Sequence, residues 1–458
     1  MAALQPATDA ARKQRGDFPT PPELVRLVVA NTLPAVRHGQ RVTVLDPACG
    51  DGRFLAAAAA QLAAAGAVPV LTGVDIDAGA VRTSRRAVGS VAVARVERDD
   101  ALRRDWGDDE RFDVVLGNPP YLSQLAASTT RGGASRHGGG PYADAAAEFL
   151  ALSVRLANPH GGRVGLVLPQ SILASRDAAA VRADVDRRAE LVWSWWSPRR
   201  LFDAQVVVCA LAFEVGAGQT SRNGDHPWSR VVADGLGVPR LPALATAGTL
   251  GDRSRLSANF RDQYYGLVPA VRDDAPGPPL ITSGLVEPGR CRWGERDVMF
   301  ARRRLVRPRV DPGELSPAMR RWAGRLTVPK VLVANQTRII EAVADPDGAW
   351  LPGVPLITVR PSPPGDVWSL AAVLTSPVAS AWAWHRAAGT GLSARSLRLG
   401  PRWLAELPWP AGSLAGAVDA LSSGDIVGCG AAVSDAYGLG LGEATPLRRW
   451  WEAQLPSR

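Results

Sequence analysis

The feature that most constrains this chain is a series of four short apolar runs, each ending in a polar motif. Val42 to Leu45 runs into Asp46-Pro47-Ala48-Cys49-Gly50-Asp51-Gly52, and Val70 to Val74 into Asp75. Val91 to Val96 runs into Asp99-Asp100, and Phe112 to Leu116 precedes Asn118-Pro119-Pro120-Tyr121. Helical patterns fill the spaces, from about Phe54 to Ala65 and Ala78 to Val88, with a further apolar helix face (Leu24, Val25, Leu27, Val28, Val29) ahead of them. Buried strands alternating with helices predict βαβ units and a mostly parallel sheet. In such sheets ligands bind beyond the carboxyl ends of the strands, where all four motifs fall. The pattern resumes with a helix at Ala145 to Ala157 and strands at Val164 to Leu168 and Val206 to Phe213.

Each motif has a chemical reading. The Gly50–Gly52 turn lies between a strand and a helix, and glycine lets the backbone turn tightly against a bulky ligand. It is not G-x-G-x-x-G, and nothing near it is shaped for a pyrophosphate, so a nucleoside with a sulfonium suits the loop better than a nicotinamide dinucleotide. Asp75, 23 residues after Gly52, can accept the hydroxyls of a ribose. Asp100, one strand further on, can accept from an adenine amine. In Asn118-Pro119-Pro120-Tyr121, the Asn118 side-chain oxygen and the Pro119 carbonyl are two acceptors for an NH₂ group whose lone pair is otherwise delocalised. Pro119 and Pro120 stiffen the loop, and Tyr121 offers a flat face to a base.

These residues resemble a known family. Asp46 to Leu55 (DPACGDGRFL), Gly73 to Asp77 (GVDID) and Phe112 to Tyr121 (FDVVLGNPPY) look like the motifs of gamma-class, Taq-type adenine-N6 DNA methyltransferases. Asp17 to Glu23 (DFPTPPE) is similar to that family's N-terminal motif. The resemblance is strong over Asp17 to Val215 and loose beyond it. It implies a Rossmann-like class I methyltransferase domain using S-adenosyl-L-methionine, followed by a mixed α+β target-recognition domain. Thr20 and Pro21 would line the methionine end of the cofactor. Asp46, Pro47, Ala48, Cys49, Gly50, Gly52, Asp75, Ile76, Asp100, Ala101 and Asn118 would complete its site. The family often carries a bulky residue after the third acid; Ala101 stands there, so packing on the cofactor's adenine falls to Leu102 or elsewhere. The target adenine would be flipped out of the duplex and stacked between Tyr121 and Phe202. No metal is expected.

Three segments follow: a flexible N-terminus over 1–16, a catalytic domain over 17–215 and a DNA target-recognition domain over 216–458. Ser123 to Pro141 is Gly/Ser/Thr-rich, aperiodic and read as a mobile loop. In the C-terminal half, Val331 to Arg338 and Leu356 to Arg360 read as strands, and Ser369 to Ala387 as a helix that Pro377 kinks or splits. Pro401 to Pro410 (PRWLAELPWP) resembles the tail of Taq-type specificity domains.

The net charge is +9, and the Arg290 to Lys330 window holds twelve Arg/Lys against four Asp/Glu. Such clustering is the footprint of a polyanion-binding surface. With Trp293 and Trp322 this window could contact phosphates, which makes Arg302, Arg303, Arg304, Arg307 and Arg309 candidates for DNA contact; Arg338, Arg395 and Arg398 are candidates for either phosphates or bases. Four cysteines without C-x-x-C spacing suggest neither zinc nor disulfides. No stretch has the length to span a bilayer, and the N-terminus lacks a signal-type core, so a cytoplasmic monomer is expected. Its partners would be double-stranded DNA and a separately encoded restriction endonuclease, in a restriction-modification or phage-defence setting. The rivals are a protein glutamine methyltransferase of release-factor type, which shares the tetrapeptide, an RNA N-methyltransferase, and a DNA-binding protein that has lost catalysis.

Overall fold

The structure is a computed structural model. It describes residues 19–91, 93–121, 135–140, 143–198, 207–216, 227–259, 261–363, 366–391, 393 and 395–456. The chain divides into two compact units, Met1–Val231 and Val232–Arg458.

The first unit is built on one seven-stranded sheet. Its strands are β1 (Arg41–Asp46), β2 (Val68–Asp75), β3 (Val93–Arg98), β4 (Val114–Gly117), β5 (Arg163–Pro169), β6 (Ala189–Trp196) and β7 (Val208–Val215). Their order is β3-β2-β1-β4-β5-β7-β6. β1 to β5 run parallel, and β7 is antiparallel to both β5 and β6. This is the doubly wound, mostly parallel sheet expected from the sequence. The strand order reverses between β1 and β4, and a crevice opens at such a switch point. Both strands are apolar because both faces are covered: Val44, Leu45, Val114, Val115 and Leu116 are fully buried.

Helix α1 (Pro22–Thr32) starts with proline in its first turn, where the missing N–H costs nothing. It buries Leu24, Val25, Val28 and Val29. Gly165 on β5 makes that seat possible, since any Cβ there would collide with Thr32. Helices α2 (Arg53–Ala64) and α3 (Ala78–Ala87) follow β1 and β2, and α3 is capped by the Asp77 carboxylate on the N–H groups of Gly79 and Ala80. α4 (Ala145–Leu156) has the bounds expected within a residue. The sequence pattern missed α5 (Ala179–Arg188) and β6, whose run Ala-Glu-Leu-Val-Trp-Ser-Trp-Trp is only half-buried along the sheet edge.

The second unit centres on an antiparallel four-stranded sheet of Ala342–Asp345, Lys330–Ala334, Leu356–Pro361 and Ser254–Ala258, in that order. The expected strand Val331 to Arg338 is broken: after Ala334 the chain leaves this sheet, and Gln336–Thr337 pairs with Leu397–Arg398. The expected long helix is two, Val367–Leu374 and Pro377–Ala387, bent by 61°. Pro377 opens the second, with the Ser376 side chain accepting from the Ala379 N–H. Among the described residues no single helix is long and apolar enough to cross a membrane.

Candidate active site

The order β3-β2-β1-β4 sets the four motifs in a row along the carboxyl edge of the sheet. The Asp99 N–H donates to the Asp75 carbonyl, the Cys49 N–H to the Val74 carbonyl and the Gly50 N–H to Asp75 Oδ2 (2.9 Å). Gly117, at the end of β4, packs so closely on Asp46 that a Cβ would lie 2.5 Å from its Oδ1. Residues distant in sequence thereby share one edge.

The turn after β1 needs its glycines for two different reasons. Gly52 has φ +82° and packs against α3, where a Cβ would lie 2.8 Å from the Ser84 Cα. Gly50 has φ +51°, with open space where its side chain would be. The first glycine faces a cradle and the second closes helix on helix. Ile76, just past the end of β2, is 61% exposed. Pro47 and Cys49 are buried behind the turn.

Asp46 is the most perturbed group here. Burial, with Asp75 and Asp51 adding repulsion, pushes its carboxyl up to about 8 despite the hydrogen bond from the Ala48 N–H. A cation placed beside it would favour the carboxylate. Burial likewise pushes the Cys49 thiol up, so that sulfur is a packing group rather than a nucleophile.

Asn118 is half-buried. Its Nδ2 donates to the Thr20 Oγ1 (2.9 Å), 98 residues away, while its Oδ1 accepts from the Tyr121 hydroxyl. Thr20 is buried just ahead of α1. Pro21 is the residue before the first helical one. Tyr121 is 7% exposed and its burial pushes the phenol well above its ordinary value. It therefore lies over the Asn118 oxygen, not open as a platform.

The acids are not idle. Asp75 accepts from the Gly50 N–H on Oδ2 and the Asp77 N–H on Oδ1. Asp100 accepts from the Leu102 N–H (3.1 Å) and pairs with Arg103 at 3.3 Å. Ala101 is buried, and its carbonyl accepts from the Trp106 indole (2.9 Å). Phe202 falls outside the described residues, as do 1–18 and 122–134.

Three positioning residues escaped the sequence reading. Arg53 grips the Asp51 carboxylate and the Thr20 carbonyl, tying the turn to the strand leading into α1. Gln170 is fully buried, and its side-chain amide Nε2 donates to the Ser197 and Val208 carbonyls (3.0 and 3.1 Å), on either side in sequence of the segment carrying Phe202. Glu148 on α4 is 4% exposed and accepts from the Arg136, His137 and Gly139 N–H groups and the Ser135 hydroxyl, at 2.7 to 3.0 Å. The His137 ring meets the Leu102 carbonyl at 3.2 Å. The end of the Gly-rich stretch expected to be mobile is thus pinned over 135–139, a correction to the uniform loop expected there. A lone glutamate on an apolar helix face was the available signal.

Residues 3–211 match the family model of N-6 DNA methylase. The resemblance to adenine-N6 DNA methyltransferases is borne out over this stretch. The chain is 32% identical over 197 residues to a type II methyltransferase, M.TthHB8I of Thermus thermophilus, covering 39% of this chain and 40% of the relative. It is 27% identical over 179 residues to M.VspI of a Vibrio species, covering 38% and 42%. The chain thus matches about two-fifths of the length of these curated relatives. Among solved structures, the methyltransferase subunit of a type I restriction-modification system from Streptococcus thermophilus superposes with a TM-score of 0.39 at 20% identity, over 45% of this chain and 46% of that one.

The C-terminal arginines divide. Arg303 donates to the Val268 and Val271 carbonyls, and Arg309 to the Gly277 carbonyl. Arg307 and Arg309 flank the Trp293 ring at 5.2 and 5.6 Å, while its indole donates to Pro308. Arg304 pairs with Asp297. Lys330, counted in the basic window, is fully buried against Asp345. The window therefore overstates the free charge. Arg302, Arg338, Arg395 and Arg398 are exposed, and the pairing of Gln336 with Arg398 brings the segments carrying Arg338 and Arg398 together.

Proposed function

We propose that this chain transfers a methyl group from S-adenosyl-L-methionine to adenine N6 in double-stranded DNA, as a gamma-class modification enzyme. The supporting observation is the Asn118–Thr20 hydrogen bond, which joins the base-gripping tetrapeptide to the N-terminal segment at the switch point. The cradle fits the cofactor: open space at Gly50, an exposed apolar Ile76, and the Asp46 carboxylate close by.

When bound, the cofactor supplies an electrophilic methyl group on a sulfonium. Asp46 favours that positive charge electrostatically. Asp75 accepts from the ribose, Asp100 from the cofactor's adenine amine, and Ile76 covers the ring. Thr20 and Pro21 line the methionine end.

The target adenine leaves the stack to reach this site. Asn118 Oδ1 and the Pro119 carbonyl accept its two amine hydrogens and aim the nitrogen at the methyl group. Orientation is the main source of acceleration, so no strong base is required and the amine proton leaves after transfer. Tyr121 must give up its hold on Asn118 Oδ1 as the amine arrives, which frees its ring to stack on the base opposite Phe202. The C-terminal unit holds the duplex through its exposed arginines. The biological partner would be a cognate restriction nuclease.

The test uses labelled cofactor with duplex DNA, RNA and a release factor in separate reactions. Label in DNA alone is expected. Label in release factor or RNA with DNA unlabelled overturns the proposal.

A further inference from the structure

The C-terminal unit contains a cavity of about 290 Å³ at the edge strand Ser254–Ala258. Trp322 and Arg325 line it from the helix Pro317–Gly324 and its end, Arg360 from the neighbouring strand, and Asn259 and Gln263 from the chain beyond the edge strand. Among the described residues no carboxylate lines it.

Its guanidinium groups are not neutralised by carboxylates of the described residues, in contrast to several others in this unit. Arg272, Arg290, Arg292, Arg296 and Arg304 each lie within 4 Å of a carboxylate. Among the described residues Arg325 and Arg360 have no such partner, and the buried Arg360 Nε has no hydrogen-bond acceptor. Two like charges share this recess, with Arg325 exposed to solvent, and the buried Arg360 Nε leaves one donor unsatisfied. An anion relieves both costs, and a phosphate matches the fork of guanidinium donors. The indole of Trp322 adds a flat apolar wall beside the charge. The Asn259 amide is fixed by donation to the Pro352 carbonyl (3.2 Å). The volume sits at the small end for ligand sites, about 300 Å³ upward. That suits a single nucleotide and excludes a helix or a duplex.

We propose that this cavity takes one nucleotide of the DNA substrate, its base against Trp322 and its phosphate on Arg325 and Arg360. Phosphate plus stacking is how proteins hold unpaired nucleotides irrespective of sequence, so a nucleotide displaced from the stack is the ligand chemistry. The inference rests on DNA being the substrate and adds a second holding point on it, in the C-terminal unit.

The experiment measures duplex DNA binding over a salt series for the full chain and three variants, with cofactor affinity and melting temperature as controls. Arg325→Gln and Arg360→Gln should each flatten the slope of log affinity against log salt by about one unit. Trp322→Ala should weaken binding by about 5- to 150-fold with the slope unchanged, and Trp322→Phe should restore most of the loss. Variants that bind DNA like the parent overturn the inference. Saturable binding of adenosine monophosphate, lost in Arg360→Gln while DNA affinity stays unchanged, assigns the cavity to a free nucleotide and also overturns it. A parent protein whose DNA binding depends on the cavity but which transfers no methyl group leaves this inference standing and removes the proposed activity.

Discussion

The two units are nearly equal in length, yet their sequences expose their chemistry in opposite ways. In the first, one mostly parallel sheet collects the four strand-end motifs along a single edge, and the fold itself assembles the site. In the second, strands of two to six residues build a small sheet and several pairs, and charged side chains often serve the scaffold. Arg303, Arg309 and Lys330 would each count toward a basic surface, but they bind carbonyls or a buried carboxylate. Motifs at strand ends report position; charge clusters in irregular structure report only composition.

Lys330 offers the strongest way to break this contrast. Removing one partner of a buried ion pair leaves an uncompensated charge, so Lys330→Met should destabilise the C-terminal unit by about 3–5 kcal/mol. Denaturant unfolding would measure it, with cofactor binding by the first unit as the control. A change near zero would place Lys330 among the surface charges after all. Asn118→Ala should cost about 10²- to 10³-fold in transfer, comparable to losing one preorganised polar contact to a reacting group, with cofactor affinity nearly intact. Loss of cofactor binding instead would make Asn118 a scaffold residue.

Smaller effects sharpen the picture within the first unit. Glu148→Ala removes four hydrogen bonds to one segment, at about 1.5–3 kcal/mol for each bond to a charged group before relaxation. It should raise protease cleavage at 135–139 and weaken DNA-dependent activity more than cofactor binding. Asp46 adds a pH dependence. Its folded value, about 8, lies above the ordinary carboxylate value, 3.8. The folded state therefore holds an extra proton between those limits, and stability falls as pH rises through that window. A cation is bound best by the carboxylate, so sulfonium affinity should climb as pH rises toward 8, by at most about tenfold per unit. The uncharged thioether product should show a weaker trend. Calorimetry at pH 6 and 8.5 compares them, and Asp46→Asn should flatten the sulfonium curve.

Much of the first unit was legible because strands covered on both faces must be continuously apolar, so β1, β4 and β5 announced themselves, while the edge strand β3, with one buried residue, was legible only from its place in the alternation ahead of Asp99-Asp100. β6 did not: its edge position leaves it half-exposed, and its Trp-rich run carries no uniform apolar signal. Asp75 and Asn118 were legible as candidate groups, but not their present engagements with Gly50 and with Thr20 and Tyr121, which depend on contacts across the sheet edge. Glu148 left only the signal of a lone carboxylate on an apolar helix face, and the segment it holds could not be read from that. In the second unit the break after Ala334 was hidden, because Val331 to Arg338 keeps strand-like composition while changing its pairing partner.

The most direct measurement is nucleoside analysis of DNA incubated with the protein and S-adenosyl-L-methionine. The account predicts N6-methyldeoxyadenosine from the parent chain and about a hundredfold less, or lower still, from Asn118→Ala under the same conditions. Methylation confined to cytosine, or parent-level product from Asn118→Ala, would contradict it.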